Sequence, residues 1–233
     1  MHSHNSDEHS EQHMQSSALL RDIVIGMSDG LTVPFALAAG LSGAVDNSDI
    51  IVIAGIAEIA AGSIAMGLGG YLAGKTEQDH YKSELKREYD EVERVPEREK
   101  QEVREFFEQI GLSEEIQNRA TEEIAMDKRQ WVDFMMKYEL GLDEPDPKRA
   151  AKSALNIGLS YVAGGIIPLS PYFFIHSSTG ALKISVAATL VCLFVFGFLK
   201  SRVTGVQPFL GAIRVTLIGA LAAGAAFGVA SLF

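Results

Sequence analysis

The chain has 233 residues, of which 47% are hydrophobic and 21% charged, and its net charge is −10 at pH 7. The charge is concentrated: Lys75–Arg149 holds 22 Asp/Glu and 14 Lys/Arg, between two apolar flanks. That division is typical of a membrane protein with one soluble insertion, and the acidity of the insertion argues against nucleic acid and for cations as partners.

The first seventeen residues, "MHSHNSDEHSEQHMQSS", are polar and of low complexity. They are expected to form a disordered tail over about residues 1–20. His2, His4, His9 and His13 match no defined metal-site spacing, which leaves a solvated tail or loose metal capture as the two readings. The tail lacks a basic n-region and leads into a span too long for an h-region, so it does not read as a cleavable signal peptide. Cys192 is the sole cysteine and lies in an apolar run, which excludes an intrachain disulfide and a CxxC metal site.

Five apolar stretches follow, at about Asp22–Gly43, Ile50–Ala73, Ser153–Ile175, Ala181–Leu199 and Phe209–Leu232. Each is about as long as the roughly 20 residues that cross a hydrocarbon core. Pro168 and Pro171 shorten the helical part of the third. Lys and Arg set the orientation. The loop "SGAVDNSD" has none and the third-to-fourth loop offers only Lys183, whereas Arg21, Lys75, Lys82, Lys86, Lys148, Arg149, Lys152, Lys200 and Arg202 lie on the other side. The positive-inside rule places the N-terminus, the insertion and the fourth-to-fifth loop in the cytosol.

The insertion, about residues 75–148, is helical by pattern. "KSELKREYDEVERV" is broken by Pro96, and "EREKQEVREFFEQIG" stops at Gly111. Ser113 can cap a third helix, and "RQWVDFMMKYELG" is a fourth, ending at Gly141. Asp146-Pro147 is an N-cap and first-turn pair that starts a helix running into the third span. Residues 21–74 then carry transmembrane helices one and two, and 149–233 carry three to five. No strand is expected.

Two spans contain acids, Asp29 in the first and Glu58 in the second. An acid inside a span costs roughly 2.5–3.5 kcal/mol on insertion scales. Glu58, Gly62 and Met66 share one helical face, with Gly62 expected to leave open space between the two side chains. From the rise of about 1.5 Å per residue, Asp29 and Met66 lie at one height and Glu58 about 12 Å farther across. This ladder of two carboxylates and a thioether suits a divalent metal, with the thioether adding preference for softer ions such as ferrous iron. The same carboxylates can hold protons. Helix packing is the alternative, and methionine is an ordinary gap filler.

In the insertion, Glu88 and Glu91, then Glu99 and Glu102, are i,i+3 pairs, and Met135 and Met136 precede Glu139 on the last helix. Taken singly, such pairs read as solvated faces; converging, they would form a carboxylate cluster with thioethers at its edge. No phosphate loop, HExxH or nucleophile–base arrangement is present, so an enzyme is not expected.

The stretches "SDGLTVPFALAAGLSG", "AGIAEIAAGSIAMGLGGYLAGKTEQDHY", "DFMMKYELGL" and "PDPKRAAKSALNIGLSYVAGGIIPLSPY" closely resemble the vacuolar iron transporter family, including the CCC1-type ferrous iron/proton antiporters. They are especially similar to plant-type members that carry a cytosolic metal-binding domain. The resemblance implies an all-α multi-pass protein with five transmembrane helices, a helical cytosolic domain between helices two and three, and a homodimer. It also implies export of Fe2+ from the cytosol in exchange for protons, into a vacuole in plants and fungi or out of the cell in a prokaryote. By that resemblance, the pathway at the dimer interface is lined by Asp29, Glu58 and Met66. The soluble domain would bind metal through Glu88, Glu91, Glu99, Glu102, Met135, Met136 and Glu139. Fe2+ is then substrate, with Mn2+ or another divalent transition metal as alternative, and no prosthetic group is expected. The His-containing tail has no counterpart in the resemblance. The rivals are a manganese-preferring exporter and a membrane-anchored metal-buffering or scaffold protein without transport.

Overall fold

The computed structural model describes residues 4–232, with side chains described from residue 18 onward. Among these residues the chain is entirely helical. The helices are α1 (His4–Ala44), α2 (Ser48–Arg94), α3 (Pro96–Gln109), α4 (Glu114–Ala125), α5 (Lys128–Phe134), α6 (Arg149–Leu169), α7 (Ser178–Val203) and α8 (Pro208–Ala230). A π-helical turn, Met135–Glu139, continues α5, and a 3-10 turn, Ser170–Phe173, continues α6. Of the tail expected over about residues 1–20, residues 1–3 lie outside the described residues, and the backbone from His4 is helical as part of α1.

Five helical segments are long and apolar enough to cross a membrane: Ala18–Ala44, Ser48–Arg94, Arg149–Phe173, Ser178–Val203 and Pro208–Ala230. They coincide with the five expected stretches. The second continues without a break from apolar into charged sequence, so one helix of 47 residues serves both a span and the insertion. The chain divides into two compact units, Met1–Tyr71 with Ala151–Phe233, and Leu72–Ala150.

In the membrane-type unit, α7 and α8 pack on each other and both pack on α1. The helices α1 and α6 approach closely enough to touch backbones. A Cβ on Gly30 would lie 2.9 Å from Tyr161 Cα, and one on Gly164 would lie 2.9 Å from the Leu31 nitrogen. Such contact needs residues without side chains. Ser153 Oγ donates to Asp22 Oδ1 at 3.1 Å, which ties the beginning of α6 to the middle of α1. At the opposite end, Ser48 Oγ donates to the His176 carbonyl at 3.0 Å and Ser178 Oγ to Asp46 Oδ1 at 2.9 Å. Outward-facing Leu159, Val191 and Leu221 are all more than half exposed, as a helix facing lipid requires.

Proline is accommodated locally. α1 runs through Pro34 without interruption. At the end of α6, Pro171 has no N–H to offer the Ile167 carbonyl, which instead accepts from Ser170 Oγ at 2.8 Å. The Pro168 carbonyl accepts from the buried Ser185 Oγ at 2.7 Å.

The smaller unit closes on a core of Val92, Val103, Phe107, Trp131, Val132, Met135 and Met136. Its helix stops are those expected. Pro96 opens α3, while Gly111 and Gly141 take φ +85° and +65°, the left-handed region that glycine enters without strain. Asp127 caps α5, accepting from the Arg129 and Gln130 amides at 2.9 and 3.2 Å. Asp146 accepts from the Lys148 amide at 2.8 Å and caps a turn, so α6 begins at Arg149 rather than at Pro147.

The close α1–α6 approach has a measurable consequence. Gly30→Val should destabilise the detergent-solubilised protein by about 1–3 kcal/mol through overpacking. Gly224→Ala, at a helical site with open space around it, should be neutral or slightly stabilising. Thermal melts of the two variants against the parent protein check this.

Candidate metal centres

The membrane-type unit brings two acids of separate helices to one tyrosine. Tyr161 of α6 is 2% exposed, and its backbone lies against Gly30, the neighbour of Asp29. Its side chain reaches α2, where the hydroxyl donates a hydrogen bond to Glu58 Oε1. Both Glu58 and Asp29 act on that hydroxyl electrostatically. The other oxygen, Glu58 Oε2, is buried and has no hydrogen-bond partner. A carboxylate oxygen in that condition is costly unless a proton or cation meets it.

The expected open space at Gly62 is instead filled. A Cβ there would lie 2.7 Å from Tyr161 Cε1, so Gly62 is the notch that admits the tyrosine ring to α2. Asp29, Glu58 and Met66 are each half-buried. Tyr161 was not singled out in the sequence, although a tyrosine deep in an apolar span needs a partner for its hydroxyl.

The smaller unit holds a second cluster. One oxygen each of Glu88, Glu91 and Glu99 lie within 4.8 Å of one another. Oxygens sharing one ion at about 2.1 Å would sit about 3 Å apart, so a modest side-chain closure completes a site. Glu88 and Glu99 are 2% and 0% exposed, and Glu88 Oε2 with both Glu99 oxygens have no hydrogen-bond partner. The connection between α2 and α3 makes this possible. Glu88 and Glu91 end one helix, Pro96 starts the next, and Glu99 and Glu102 fall one turn into it.

Burial pushes the Glu99 carboxyl up to about 7, aided by Glu102, Glu88 and Glu91 and opposed by Arg98. Glu88 is raised by burial and then by Glu91. Glu139 is also pushed up to about 7, by desolvation and then by Glu102 and Glu88, which places it in the same electrostatic cluster although its surface is exposed. Glu102 joins the group through Arg98, whose Nε lies 3.3 Å from Glu102 Oε1. Met135 and Met136 are 0% and 1% exposed and sit in the apolar core beside Val92 and Val103, which belong to the helices that bear the glutamates.

Met135 and Glu139 bound the π turn, in which the Leu140 amide donates to the Met135 carbonyl at 3.1 Å. The wider winding rotates Glu139 relative to its α-helical position. Two further residues went unread in the sequence: Arg87 and Arg98, which thread the cluster.

Five membrane-length helices, acids buried among them and a carboxylate cluster in a separate helical unit define a multi-pass α-helical membrane protein that holds carboxylates away from water in both parts. The profile of the VIT family matches residues 20–231. Vacuolar iron transporter 1 of Oryza sativa subsp. japonica is 52% identical over 98% of this chain and 90% of its own length. Vacuolar iron transporter 1 of Arabidopsis thaliana is 50% identical over 97% of this chain and 90% of its own. Protein CCC1 of Saccharomyces cerevisiae is 36% identical over 90% of this chain and 67% of its own. The chain belongs to the VIT family, a family of membrane transporters and not of enzymes.

The raised carboxyl groups dictate a pH response. Folded Glu99 holds its proton up to about pH 7, against 4.5 for the free group, so the folded state binds more protons between those values. Stability of the metal-free smaller unit should therefore fall as pH rises from about 4.5 through 7. Glu99→Gln, a neutral isostere, should remove part of that slope and add on the order of 1–3 kcal/mol at pH 8. Thermal melts followed by Trp131, the single tryptophan of the chain, measure both effects.

Proposed function

We propose that the protein carries Fe2+ out of the cytosol in exchange for protons, in the vacuolar membrane, with the N-terminus and the unit Leu72–Ala150 on the cytosolic side. The observation that carries this reading is Glu58 within a membrane-length helix, one oxygen held by the Tyr161 hydroxyl and the other buried without a partner. The names of the relatives supply the ion and the compartment.

Glu88, Glu91 and Glu99, with Glu102 and Glu139, would collect the ion. Oxygen donors alone accept many divalent ions, and Met66 in the span and Met135 and Met136 in the smaller unit would add preference for a softer one. Within the membrane, the unpartnered Glu58 Oε2 is the donor free to meet a cation, while Tyr161 fixes the other oxygen. A carboxylate that holds either metal or proton exchanges one for the other when the far side is acidic. A second copy of the chain belongs to the reading, and α2 presents Ile53, Ile56, Ile64 and Leu68 outward for it.

Uptake of Fe2+ into proteoliposomes with an acidic lumen tests this. Asp29→Asn and Glu58→Gln should reduce the initial rate to near the protein-free background, and Tyr161→Phe should lower it by about tenfold, as loss of a group that orients a ligand does. Normal uptake by the two acid variants would refute the reading. Preferred uptake of Mn2+ in direct competition would instead assign a manganese exporter, and saturable Fe2+ binding without flux would assign a buffering or scaffold role.

A further inference from the structure

We propose that Arg87 and Arg98 are resident cations of the glutamate cluster, occupying its charge field when no metal is bound and withdrawing into solvent when a divalent cation enters. This deepens the metal-collecting role proposed for the smaller unit and rests on it.

The two guanidinium groups reach all the close carboxylates. Arg87 lies 2.8 Å from Glu84 Oε2, 3.5 Å from Glu88 Oε1 and 3.5 Å from Glu91 Oε2. Arg98 lies 3.5 Å from Glu91 Oε1, 3.3 Å from Glu99 Oε1 and 3.3 Å from Glu102 Oε1. Glu91 is therefore held from both sides, one oxygen to each arginine.

These contacts are loose where they touch the candidate ligands. Good charge-assisted N–H···O bonds run about 2.7–2.9 Å, often as a two-pronged fork. Only Arg87–Glu84 falls in that range, and Glu84 is outside the candidate ligand set. Glu99 Oε1 lacks a hydrogen bond even with Arg98 at 3.3 Å, because the approach is poorly aligned. The arginines donate only long hydrogen bonds of 3.5 Å, to Glu88 Oε1 and Glu91 Oε1, and leave Glu88 Oε2 and both Glu99 oxygens without one, so these oxygens stay open to a stronger partner.

Both side chains can leave at low cost. Arg87 and Arg98 are 50% and 59% exposed, so withdrawal moves a charge from the surface into bulk water and not through the core. Arg87 keeps its best contact, to Glu84, after release. A divalent ion brings two charges to one point at about 2.1 Å from oxygen, against a single spread charge at 3.3–3.5 Å. The field therefore favours the metal, and the arginines set by how much. They are positioning residues that compete with the ion and are not ligands.

The experiment titrates the full-length protein in detergent with Fe2+ under anaerobic conditions, read by Trp131 fluorescence. Trp131 is the single tryptophan and shares the core of this unit with Val92 and Val103, so the signal reports this site and not the membrane acids. Arg87→Gln and Arg98→Gln should each tighten the midpoint by about two- to fivefold, the range of an exposed ion pair. Arg98→Lys, which keeps the charge, should stay near the parent value. Each Gln variant should lower the metal-free melting temperature yet melt like the parent protein when saturated with Fe2+.

Unchanged or weakened midpoints in the Gln variants, with saturable binding by the parent, would overturn this inference and leave the metal-collecting role standing. Equal loss of melting temperature with and without Fe2+ would make the arginines merely structural and would also overturn it. Absence of saturable Fe2+ binding by the parent protein would overturn both.

Discussion

Removing a carboxylate oxygen from water without a hydrogen bond costs on the order of 1–3 kcal/mol or more, and far more if the group stays ionised. Among the described residues this chain keeps four such oxygens, on Glu58, Glu88 and both branches of Glu99. Natural folds seldom carry several unless something outside the chain completes them. Much else in the structure can be read as the means of holding these oxygens in place: a tyrosine on Glu58, a proline break between the paired glutamates, and two arginines laid over the soluble cluster.

The two units handle the same constraint in different solvents. In the membrane-type unit, one Glu58 oxygen is fixed by the hydroxyl of the buried Tyr161, and backbones close in around it. Gly30 lets the backbone of Tyr161 approach α1, and Gly62 lets its ring reach α2. In the smaller unit, solvent is near, and half-exposed guanidinium groups provide the opposing charge. The apolar core under that cluster, from Val92 to Met136, fixes the helices that present the glutamates. A rigid floor with exchangeable counter-charges above it is a reasonable construction for a group meant to change partners.

Much of this was legible in the sequence. Five apolar runs predicted five membrane-length helices in an all-helical chain. Pro96, Gly111 and Gly141 marked helix limits through backbone chemistry, whereas Ser113 sits at the N-cap of α4 without a side-chain cap hydrogen bond. The acids stood out because their spacing placed them in spans or on shared helical faces. What could not be read were properties of packing between helices. Gly62 looked like empty space, since nothing in the local sequence says which side chain of another helix fills a notch. Tyr161 is 103 residues from Glu58 along the chain, so their pairing has no local signal. The π turn at Met135–Glu139 also escaped, because five residues of ordinary helix formers carry no mark of the wider winding. Arg87 and Arg98 passed as members of a solvated face, and their role depends on Glu88 and Glu99 being buried beside them.

Glu58, held at one oxygen by Tyr161 and unpartnered at the other, is proposed to exchange Fe2+ for protons. The most direct measurement records luminal pH and iron entry together in proteoliposomes with an acid lumen, at zero membrane potential. Coupled exchange requires the lumen to become alkaline in step with iron entry, with both signals lost in Glu58→Gln. Iron entry while luminal pH follows the protein-free control would contradict it.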